Sequence, residues 1–503
     1  MNLISIVYGL FLLSVLGIYW SVGTTQLRLW TLLVASIVFY ISYPNQLQFI
    51  LLLFVLIFIN YRLGIEIGQN TSPGQHTQDA EISNEDWQYA QADWNRRRLA
   101  LLWMGIALNI LLLFGFKYFA PLLKFTLTQT TGNNSGLDTF KVFAPLGISY
   151  FTFECIAYLL DIYRGAPATR SLINFAAYKL FFAKVTSGPI TRFNHLANQF
   201  NNVKFPTTDT FAEALWLIAR GTVKKGLLAD NIGIFVDICF GNLQRAGSTD
   251  LWLATVAYGL QLYLDFSGYV DIARGSALLF GLVLPQNFDA PYFSTSIADF
   301  WRRWHMTLGD WLRNYLYFPL GGSRVGKMRT CVNLMVVMVV CGIWHGATLG
   351  FIVWGMLHGL ALVVHRLVDE ACDRIEPLEN FWQTPIGIVL AWFFTQLMVF
   401  TSWIWFRLPN LQESWLAFSH LWGHSADAQF SQLVYVEALK MSPQQVGMLL
   451  GAIATVMSVS YFFTHRLKLK FNWPVKLLLV PLCFYAVWLL APEGSLPFIY
   501  FEY

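Results

Sequence analysis

Charged residues are scarce in this 503-residue chain. Lys, Arg, Asp and Glu make up 12% of it and hydrophobic residues 56%, whereas a soluble globular domain carries about 25% charged residues. This balance excludes an ordinary soluble protein and indicates an all-α, polytopic membrane protein. The formal net charge of +4 is small for the length, and without a basic stripe we expect no nucleic-acid partner.

The motifs of several enzyme classes are missing as well. The six cysteines include no CxxC pair, so neither a disulfide framework nor a zinc site is indicated. GxSxG, GxxxxGK[ST] and HExxH are also absent, which argues against a serine hydrolase, a P-loop enzyme and a zinc protease. We therefore expect neither a metal nor a bound cofactor.

Apolar runs long enough to cross a bilayer core, about 20 residues, recur along the whole chain. They lie near 4–22, 28–43, 46–67, 99–124, 141–162, 211–241, 251–284, 331–349, 350–367, 383–406, 444–463 and 474–492. Allowing for merged or broken helices, the sequence predicts about ten to twelve spans in one integral membrane domain over residues 1–503. The first run lacks a basic start and a cleavage pattern, so we expect a retained span and no signal peptide.

The polar residues divide this domain. Residues 68–98 have no hydrophobic periodicity and are predicted to form a solvated loop. This loop would separate N-terminal spans in 1–67 from a core in 99–367, which C-terminal spans in 368–503 would follow.

Two apolar segments have the wrong composition for simple spans. Residues 174–193 are interrupted by lysines and a Gly-Pro pair, and residues 295–322 mix aromatic side chains with arginines and an aspartate. Such segments are tolerated at membrane depth only where protein or a wet cavity surrounds them. The sequence therefore predicts re-entrant or interfacial helices at both places.

Histidine inside an apolar run is the first candidate for chemistry. Residues 331–359 contain His345 and His358, and an ionisable side chain in a membrane segment is costly unless it faces a cavity or a partner. Trp344 could shield the ring of His345, while Gly346 permits close approach of another group. Without a metal, such a histidine can accept the proton of a hydroxyl. A buried structural histidine is the alternative, and His358 could be a packing or hydrogen-bonding neighbour.

A second candidate, His305, lies in the aromatic segment 299–324. If this segment were one helix, Trp301, His305 and Leu308 would fall near one face. The segment also supplies Trp304 and the basic residues Arg302, Arg303 and Arg313. The alternative is a surface helix whose arginines extend toward lipid phosphates.

Several polar residues interrupt the apolar run 261–274. Asp265, Ser267 and Asp271 cannot all face lipid. Asp271 and Arg274 are three residues apart on one helix face, which predicts a structural salt bridge between them. Ser267 precedes a glycine, which suggests a local opening where backbone groups contact a ligand.

The order of motifs resembles the membrane-bound O-acyltransferase family, in its bacterial branch of polysaccharide O-acetyltransferases and D-alanyl transferases. FWRRWHMTLGDWLRNYLYFPLGG at 300–322 is followed by an apolar run and IWHGA at 343–347. The likeness includes PLGISYFTFECIAYLLDIYRG at 145–165, FFAKVTSGPITRF at 181–193 and YLDFSGYVDIARGSALLFGL at 263–282. The extension FTSWIWFRLPNLQESW at 400–415 and two further spans make the chain most similar to the alginate O-acetyltransferase-like members.

This resemblance implies a ring of helices around a thin core that a tunnel pierces, with 174–193 and 295–322 forming the core. It makes His345 the catalytic histidine and His305 the second histidine on the approach to the reaction chamber. Candidates for lining the tunnel are Trp344, Trp304, Asp265, Ser267, Asp271 and His358, and candidates for binding the donor are Arg302, Arg303 and Arg313.

The resemblance also implies the reaction. An acyl group, most simply acetyl, would pass from a cytoplasmic thioester such as acetyl-CoA to a hydroxyl of an extracytoplasmic polysaccharide or of a partner relay protein. The protein would be a multi-pass protein of the inner, cytoplasmic membrane, in contact with lipid and with extracytoplasmic acetyltransferase subunits.

Two alternatives stay open from the sequence. The first is transfer of D-alanyl or another acyl group from a carrier protein to teichoic acid, protein or lipid. The second is a proton-coupled transporter or flippase, which would move its substrate without changing a covalent bond. The absence of a sequence repeat argues against this second alternative.

Overall fold

The computed structural model describes residues 3–68, 84–119, 144–492 and 496–499 together with residues 123 and 494. Within these parts the secondary structure is helical and contains no strand, as the all-α prediction requires. The chain divides into two compact units, Met1–Phe205 with Ala277–Leu284, and Pro206–Ser276 with Pro285–Tyr503. The predicted spans 99–124 and 141–162 lie partly outside the described residues, as does part of the predicted loop 68–98.

The first unit begins with long apolar helices and continues with shorter buried ones. Its helices are α1 (Ile6–Ser21), α2 (Thr25–Ile41), α3 (Ile50–Gly68), α4 (Asn84–Lys117), α5 (Ile148–Tyr163), α6 (Leu172–Leu180) and α7 (Phe193–Phe200). Ser5, Thr24 and Ser171 start α1, α2 and α6, since each hydroxyl accepts a hydrogen bond from a backbone N–H of the first turn.

The second unit carries the histidine candidates. Its helices are α8 (Thr208–Thr222), α9 (Asp230–Phe240), α10 (Ser248–Leu279, whose last turn belongs to the first unit), α11 (Ile297–Arg303), α12 (Met306–Leu312), α13 (Lys327–His345), α14 (Leu349–Cys372), α15 (Glu376–Gln383), α16 (Pro385–Arg407), α17 (Leu411–Ser419), α18 (Ala428–Ser431), α19 (Pro443–Tyr461) and α20 (Trp473–Leu490). A π-helical segment, Val223–Ala229, joins α8 directly to α9.

Close backbone packing holds α13 against α14. A Cβ atom at Gly355 would lie 2.4 Å from the carbonyl oxygen of Met338, so only glycine permits this approach. Helices that pack at such short range are common in membranes, where small residues let the backbones meet. The contact lies about two turns before His345, the last residue of α13.

Seven of the described helical segments are long and apolar enough to cross a membrane. They are Leu47–Gly68, Asp93–Lys117, Lys327–His345, Leu349–Cys372, Pro385–Arg407, Pro443–Arg466 and Trp473–Leu490, and the shorter apolar helices α1 and α2 have 16 and 17 residues. Many of their large apolar side chains are exposed, as expected of surfaces that face lipid. The protein is therefore a multi-pass membrane protein.

This number is lower than the ten to twelve spans that the apolar runs predicted. The run 211–241 becomes α8, the π-helical segment and α9, with Arg220, Lys224, Lys225 and Asp230 among its residues. The run 251–284 becomes α10, which carries further charges. Because these helices carry charged residues that pair inside the protein, they do not count among the apolar spans.

Part of the predicted loop 68–98 is helical, which makes that prediction wrong for residues 84–98. The backbone of α4 is helical from Asn84 and continues into the apolar span. Gln, Ala and Arg, which recur in this part of the sequence, are good helix formers. The remainder of that loop, residues 69–83, lies outside the described residues.

Neither interrupted segment is a single long helix, as predicted; a re-entrant or interfacial position in the membrane stays a prediction. Residues 174–193 comprise most of α6 followed by buried turns up to Gly188. Residues 295–322 form the seven-residue helices α11 and α12, a π-helical turn at Arg313–Tyr317 and further turns. None of these helices is long enough to cross a bilayer core.

Candidate active site

His345 lies at the C-terminal end of α13 and is buried. Three aromatic rings surround its imidazole, with centroid distances of 4.9 Å to Trp344, 5.3 Å to Trp354 and 4.9 Å to Phe406. Helices α13, α14 and α16 each contribute one of these rings. The environment of His345 is therefore aromatic and apolar.

Gly346 ends α13 and permits a close approach, as the sequence suggested. The group that approaches is the ring of Phe351, since a Cβ atom at position 346 would lie 2.2 Å from it. Phe351 also contacts His345, with ring centroids 6.5 Å apart.

His305 lies between α11 and α12 in a left-handed conformation, with φ at 42°. Its carbonyl oxygen accepts hydrogen bonds from the N–H groups of Leu308 and Gly309, both at 3.0 Å. The single helix assumed for 299–324 is therefore wrong, because the chain turns at Trp304 and His305. Non-glycine residues in this conformation are uncommon and cluster at functional sites.

Asn287 holds this turn from 20 residues upstream in the sequence. Its side-chain oxygen accepts hydrogen bonds from the backbone N–H of Thr307 at 3.2 Å and from the Thr307 hydroxyl at 2.6 Å. The backbone carbonyl oxygen of Asn287 accepts a hydrogen bond from the N–H of Met306 at 2.9 Å. Fully buried, Asn287 thereby fixes the backbone on the C-terminal side of His305.

Both candidate histidines contact the same indole. The Trp344 ring meets His305 edge to face, with centroids 6.1 Å apart, and lies 4.9 Å from His345. On its other side His305 contacts Phe266 of α10 at 4.9 Å. The structure thus brings together the two histidines that the sequence singled out and places Trp344 in contact with both.

His305 lies outside the seven candidate spans, and its imidazole is buried. Burial lowers its pKa to about 3, because the charged ring would lose its hydration. The ring is therefore neutral at physiological pH.

His358 has both ring nitrogens in hydrogen bonds. Trp301 Nε1 donates to Nδ1 at 3.3 Å, so Nε2 carries the hydrogen and faces the Ser402 hydroxyl at 2.9 Å. The Ser402 hydroxyl in turn donates to the carbonyl oxygen of Val399. These partners assign His358 to the packing of α11, α14 and α16.

Trp304 and Ser267 are both buried. The Trp304 ring packs against Phe288 at 5.1 Å and Trp403 at 5.1 Å. It belongs to an aromatic cluster that continues through Trp403 to Trp354. Ser267 lies on α10 next to Phe266, which contacts His305.

Asp265 belongs to a buried ionic network. Lys225 Nζ lies 2.5 Å from Asp265 and 2.7 Å from Asp230. The same ammonium donates to the carbonyl oxygen of Leu496 at 3.2 Å, and the N–H of Ile499 donates to Asp265. Asp265 therefore anchors the segment near the end of the chain.

Asp271 pairs with residues of α8 and the following π-helical segment. Its carboxylate accepts two hydrogen bonds from Arg220, at 3.0 and 2.8 Å, and one from Lys224 at 2.8 Å. The charge attraction predicted between Asp271 and Arg274 is present, but the sequence did not predict the hydrogen bonds that Asp271 accepts from Arg220 and Lys224.

The three arginines proposed for donor binding lie in the segment 295–322. Arg303 pairs with Asp299 at 2.9 Å and Arg313 with Asp310 at 2.6 Å. Arg302 is exposed, and its Nε donates to the carbonyl oxygen of Ala298.

The described residues contain no group of three or more His, Cys, Asp or Glu side chains that could hold a metal ion. Sequence reasoning missed Asn287, Phe266, Phe406 and Trp354. No sequence signal marks them, because each meets its histidine or turn only after distant parts of the chain pack together.

The chain matches the sequence profile of the membrane-bound O-acyltransferase family over residues 99–403. This range is more than half of the chain and contains both His305 and His345. The chain belongs to the membrane-bound O-acyltransferase family. It is therefore an acyltransferase, and the resemblance of its motifs to this family is confirmed.

The names of curated relatives in the family specify different polymers. The chain is 36% identical over 471 residues to a probable alginate O-acetylase AlgI of Pseudomonas syringae, covering 91% of this chain and 82% of that protein. It is 33% identical to a peptidoglycan O-acetyltransferase of Helicobacter pylori, covering 77% and 72%. It is 30% identical to a teichoic acid D-alanyltransferase of Streptococcus thermophilus, covering 56% and 72%.

Proposed function

We propose that this acyltransferase moves an acetyl group from a cytoplasmic thioester to a hydroxyl outside the inner membrane. The pair of buried histidines that contact Trp344 carries the proposal, because it offers a base inside a membrane protein of this family. The alginate O-acetylase relatives support acetyl as the group, since the similarity covers nine tenths of the chain.

His345 is the proposed catalytic base. Its neutral imidazole accepts the proton of the attacking hydroxyl as the oxygen forms a bond to the thioester carbonyl carbon. The tetrahedral intermediate then expels the thiolate, which takes the proton from the imidazolium. An ester and a free thiol result, so atoms and charge balance.

His305 is proposed to orient a reactant beside this base. Its neutral ring has one hydrogen-bond donor and one acceptor, so it could hold the attacking hydroxyl or the acyl oxygen. Asn287 fixes the turn that presents the ring.

Acetyl-CoA or another acyl thioester is the proposed donor, and Arg302 is the donor-binding candidate that is best placed to meet its phosphates. Arg302 is exposed, whereas Arg303 and Arg313 each pair with an aspartate. A guanidinium binds phosphate oxygens in a bidentate manner.

The proposed acceptor is a polysaccharide hydroxyl, reached directly or through a hydroxyl of an extracytoplasmic acetyltransferase subunit. Transfer of D-alanine to teichoic acid is the second candidate, supported by the 30% identity to the D-alanyltransferase over 56% of this chain. The two differ in their donors, since D-alanine would arrive on a carrier.

The test is mass spectrometry of the envelope polysaccharides from cells that make intact protein, His345→Ala or His305→Ala. We expect His345→Ala to lower O-acetylation by about 10²–10⁴-fold, the usual contribution of a general base, while the protein remains folded in the membrane. His365→Ala is the matched control, since His365 pairs with Asp369 near the end of α14. Unchanged acetylation in His345→Ala would reject this base, and D-alanyl esters in place of acetyl esters would favour the second candidate.

A further inference from the structure

A buried ionic cluster lies in the first unit, apart from the histidines. Lys179 Nζ lies 3.0 Å from one carboxylate oxygen of Glu154, and Lys184 Nζ lies 2.5 Å from the other. The exposed fractions of these side chains are 0% for Lys179, 2% for Lys184 and 6% for Glu154. Two positive charges therefore share one negative charge inside the protein.

The carboxylate of Glu154 is saturated with donors. Besides the two ammonium groups, the backbone N–H and the hydroxyl of Thr191 each donate to it at 3.1 Å. Four donors fill the acceptor sites of one carboxylate. Its single negative charge balances only one of the two lysines.

The ammonium group of Lys184 has hydrogen-bond donors that Glu154 does not use. Lys179 also donates to the carbonyl oxygen of Phe151 at 2.9 Å. Among the described residues, Lys184 hydrogen bonds to Glu154 alone and otherwise lies over the ring of Tyr178, at 4.2 Å. An ammonium carries three N–H donors, so Lys184 can donate to a further acceptor.

A cavity beside the two lysines offers room for that acceptor. The centre of a water-sized sphere has about 10 Å³ to move in there, so the space also admits a sphere somewhat larger than one water molecule. Lys179, Lys184, Glu154 and Tyr150 line it together with apolar side chains. A water molecule would accept a hydrogen bond there but would leave one positive charge uncompensated, which is costly in a buried site.

We propose that this cavity binds one small monovalent anion of the size of chloride, held by the ammonium groups of Lys179 and Lys184. The anion brings the net charge of the cluster to zero. It thereby stabilises the buried turns after α6 against α5. The proposal is independent of the proposed acyl transfer, because no step of that reaction uses these residues.

Thermal unfolding of the full-length protein in lipid nanodiscs tests the site. An anion that binds only the folded state raises the melting temperature as its concentration exceeds the dissociation constant. We expect chloride and bromide to raise it by a few degrees relative to gluconate at equal ionic strength, since gluconate is too large for the cavity. Equal melting temperatures in all three salts would overturn the proposal.

Two variants of the cluster make opposite predictions. Lys184→Met leaves a neutral pair of Lys179 and Glu154, so the effect of chloride on melting should disappear. Glu154→Gln leaves two positive charges, so the effect should persist or grow. Lys327→Met, which alters an exposed lysine paired with Glu370, is the matched control and should respond to chloride as the intact protein does. A chloride effect that survives in Lys184→Met would contradict the assignment.

Diffraction from the intact protein with bromide decides the matter even if the variants fail to fold. We expect an anomalous peak within contact distance of the Nζ atoms of Lys179 and Lys184. Data without a peak at this position would show that water fills the cavity and would overturn the proposal.

Discussion

At the scale of single residues, the partners of a ring decide what a histidine can do. His358 has Trp301 on one nitrogen and Ser402 beside the other, so its hydrogen-bonding capacity serves the packing. His305 and His345 both contact the ring of Trp344. Proximity in the sequence does not distinguish these roles, because His345 and His358 both lie in one apolar run.

Replacing His358 by phenylalanine should therefore lower the stability of the protein without reducing acyl transfer. The substitution removes the acceptor of the half-buried Trp301 N–H and one of the two hydrogen bonds of the Ser402 hydroxyl, and an unsatisfied donor costs up to about 3 kcal/mol. We expect a lower melting temperature in detergent and unchanged acyl transfer per folded molecule. A loss of transfer as large as that of His345→Ala, in protein that melts normally, would instead place His358 in the reaction.

Asn287 should act as a positioning residue for His305. In Asn287→Ala the N–H and hydroxyl of Thr307 lose their acceptor. The backbone hydrogen bond from Met306 to Asn287 remains, so the left-handed turn at His305 is loosened and not lost. We expect kcat to fall while KM for the donor changes little, and Thr307→Val, which removes only the hydroxyl, should show a smaller loss.

A double-mutant cycle separates this role from simple destabilisation. If Asn287 acts through His305, Asn287→Ala should reduce kcat much less in a His305→Ala background than in the intact protein. Additive losses would show that Asn287 acts elsewhere.

At the scale of helices, the sequence predicted where the helices are broken but did not predict the geometry inside the broken segments. Charges and a Gly-Pro pair within apolar runs sufficed to predict that 174–193 and 295–322 are not simple spans. The break at His305 could not be predicted, because hydrogen bonds from Asn287 stabilise a left-handed residue that local propensity disfavours. The helical start of α4 was missed because its polar sequence shows no hydrophobic periodicity, although the helix continues into an apolar span.

The packing of α13 on α14 gives a prediction about Gly355. An added methyl group in Gly355→Ala would lie 2.4 Å from the carbonyl oxygen of Met338, so the two helices must separate. We expect a lower melting temperature and reduced acyl transfer, because α13 carries His345. Gly451→Ala on α19 is the matched control, since nothing lies within 4 Å of its added carbon and alanine favours a helix by about 1 kcal/mol.

At the scale of the whole molecule, buried ion pairs join segments that are far apart in the chain. Asp271 forms ion pairs with Arg220 and Lys224, about 50 residues upstream, in addition to the charge attraction with Arg274 nearby. Composition and motif order were enough to predict a membrane-embedded acyltransferase. They could not predict these partners, because pairing across helices depends on the tertiary fold.

Lys225 should be the most sensitive of these residues to substitution. Lys225→Met leaves the carboxylates of Asp230 and Asp265 buried without their cation, and breaking such a network costs about 3–5 kcal/mol. We expect poor accumulation in the membrane and a strongly lowered melting temperature. Lys327→Met should change stability little, because its ion pair with Glu370 is largely exposed and screened by water. Equal effects of the two substitutions would contradict this view.

The position of His345 as the final residue of α13 makes the site responsive to bilayer thickness. The 19 residues of α13 give a helix about 28 Å long, close to the hydrocarbon thickness of about 30 Å. A thinner bilayer makes such a helix tilt, whereas a thicker bilayer must thin around its ends, and either response would move the end that carries His345 and Trp344 relative to His305. Turnover in vesicles should therefore peak at one lipid acyl-chain length and decline on either side of it.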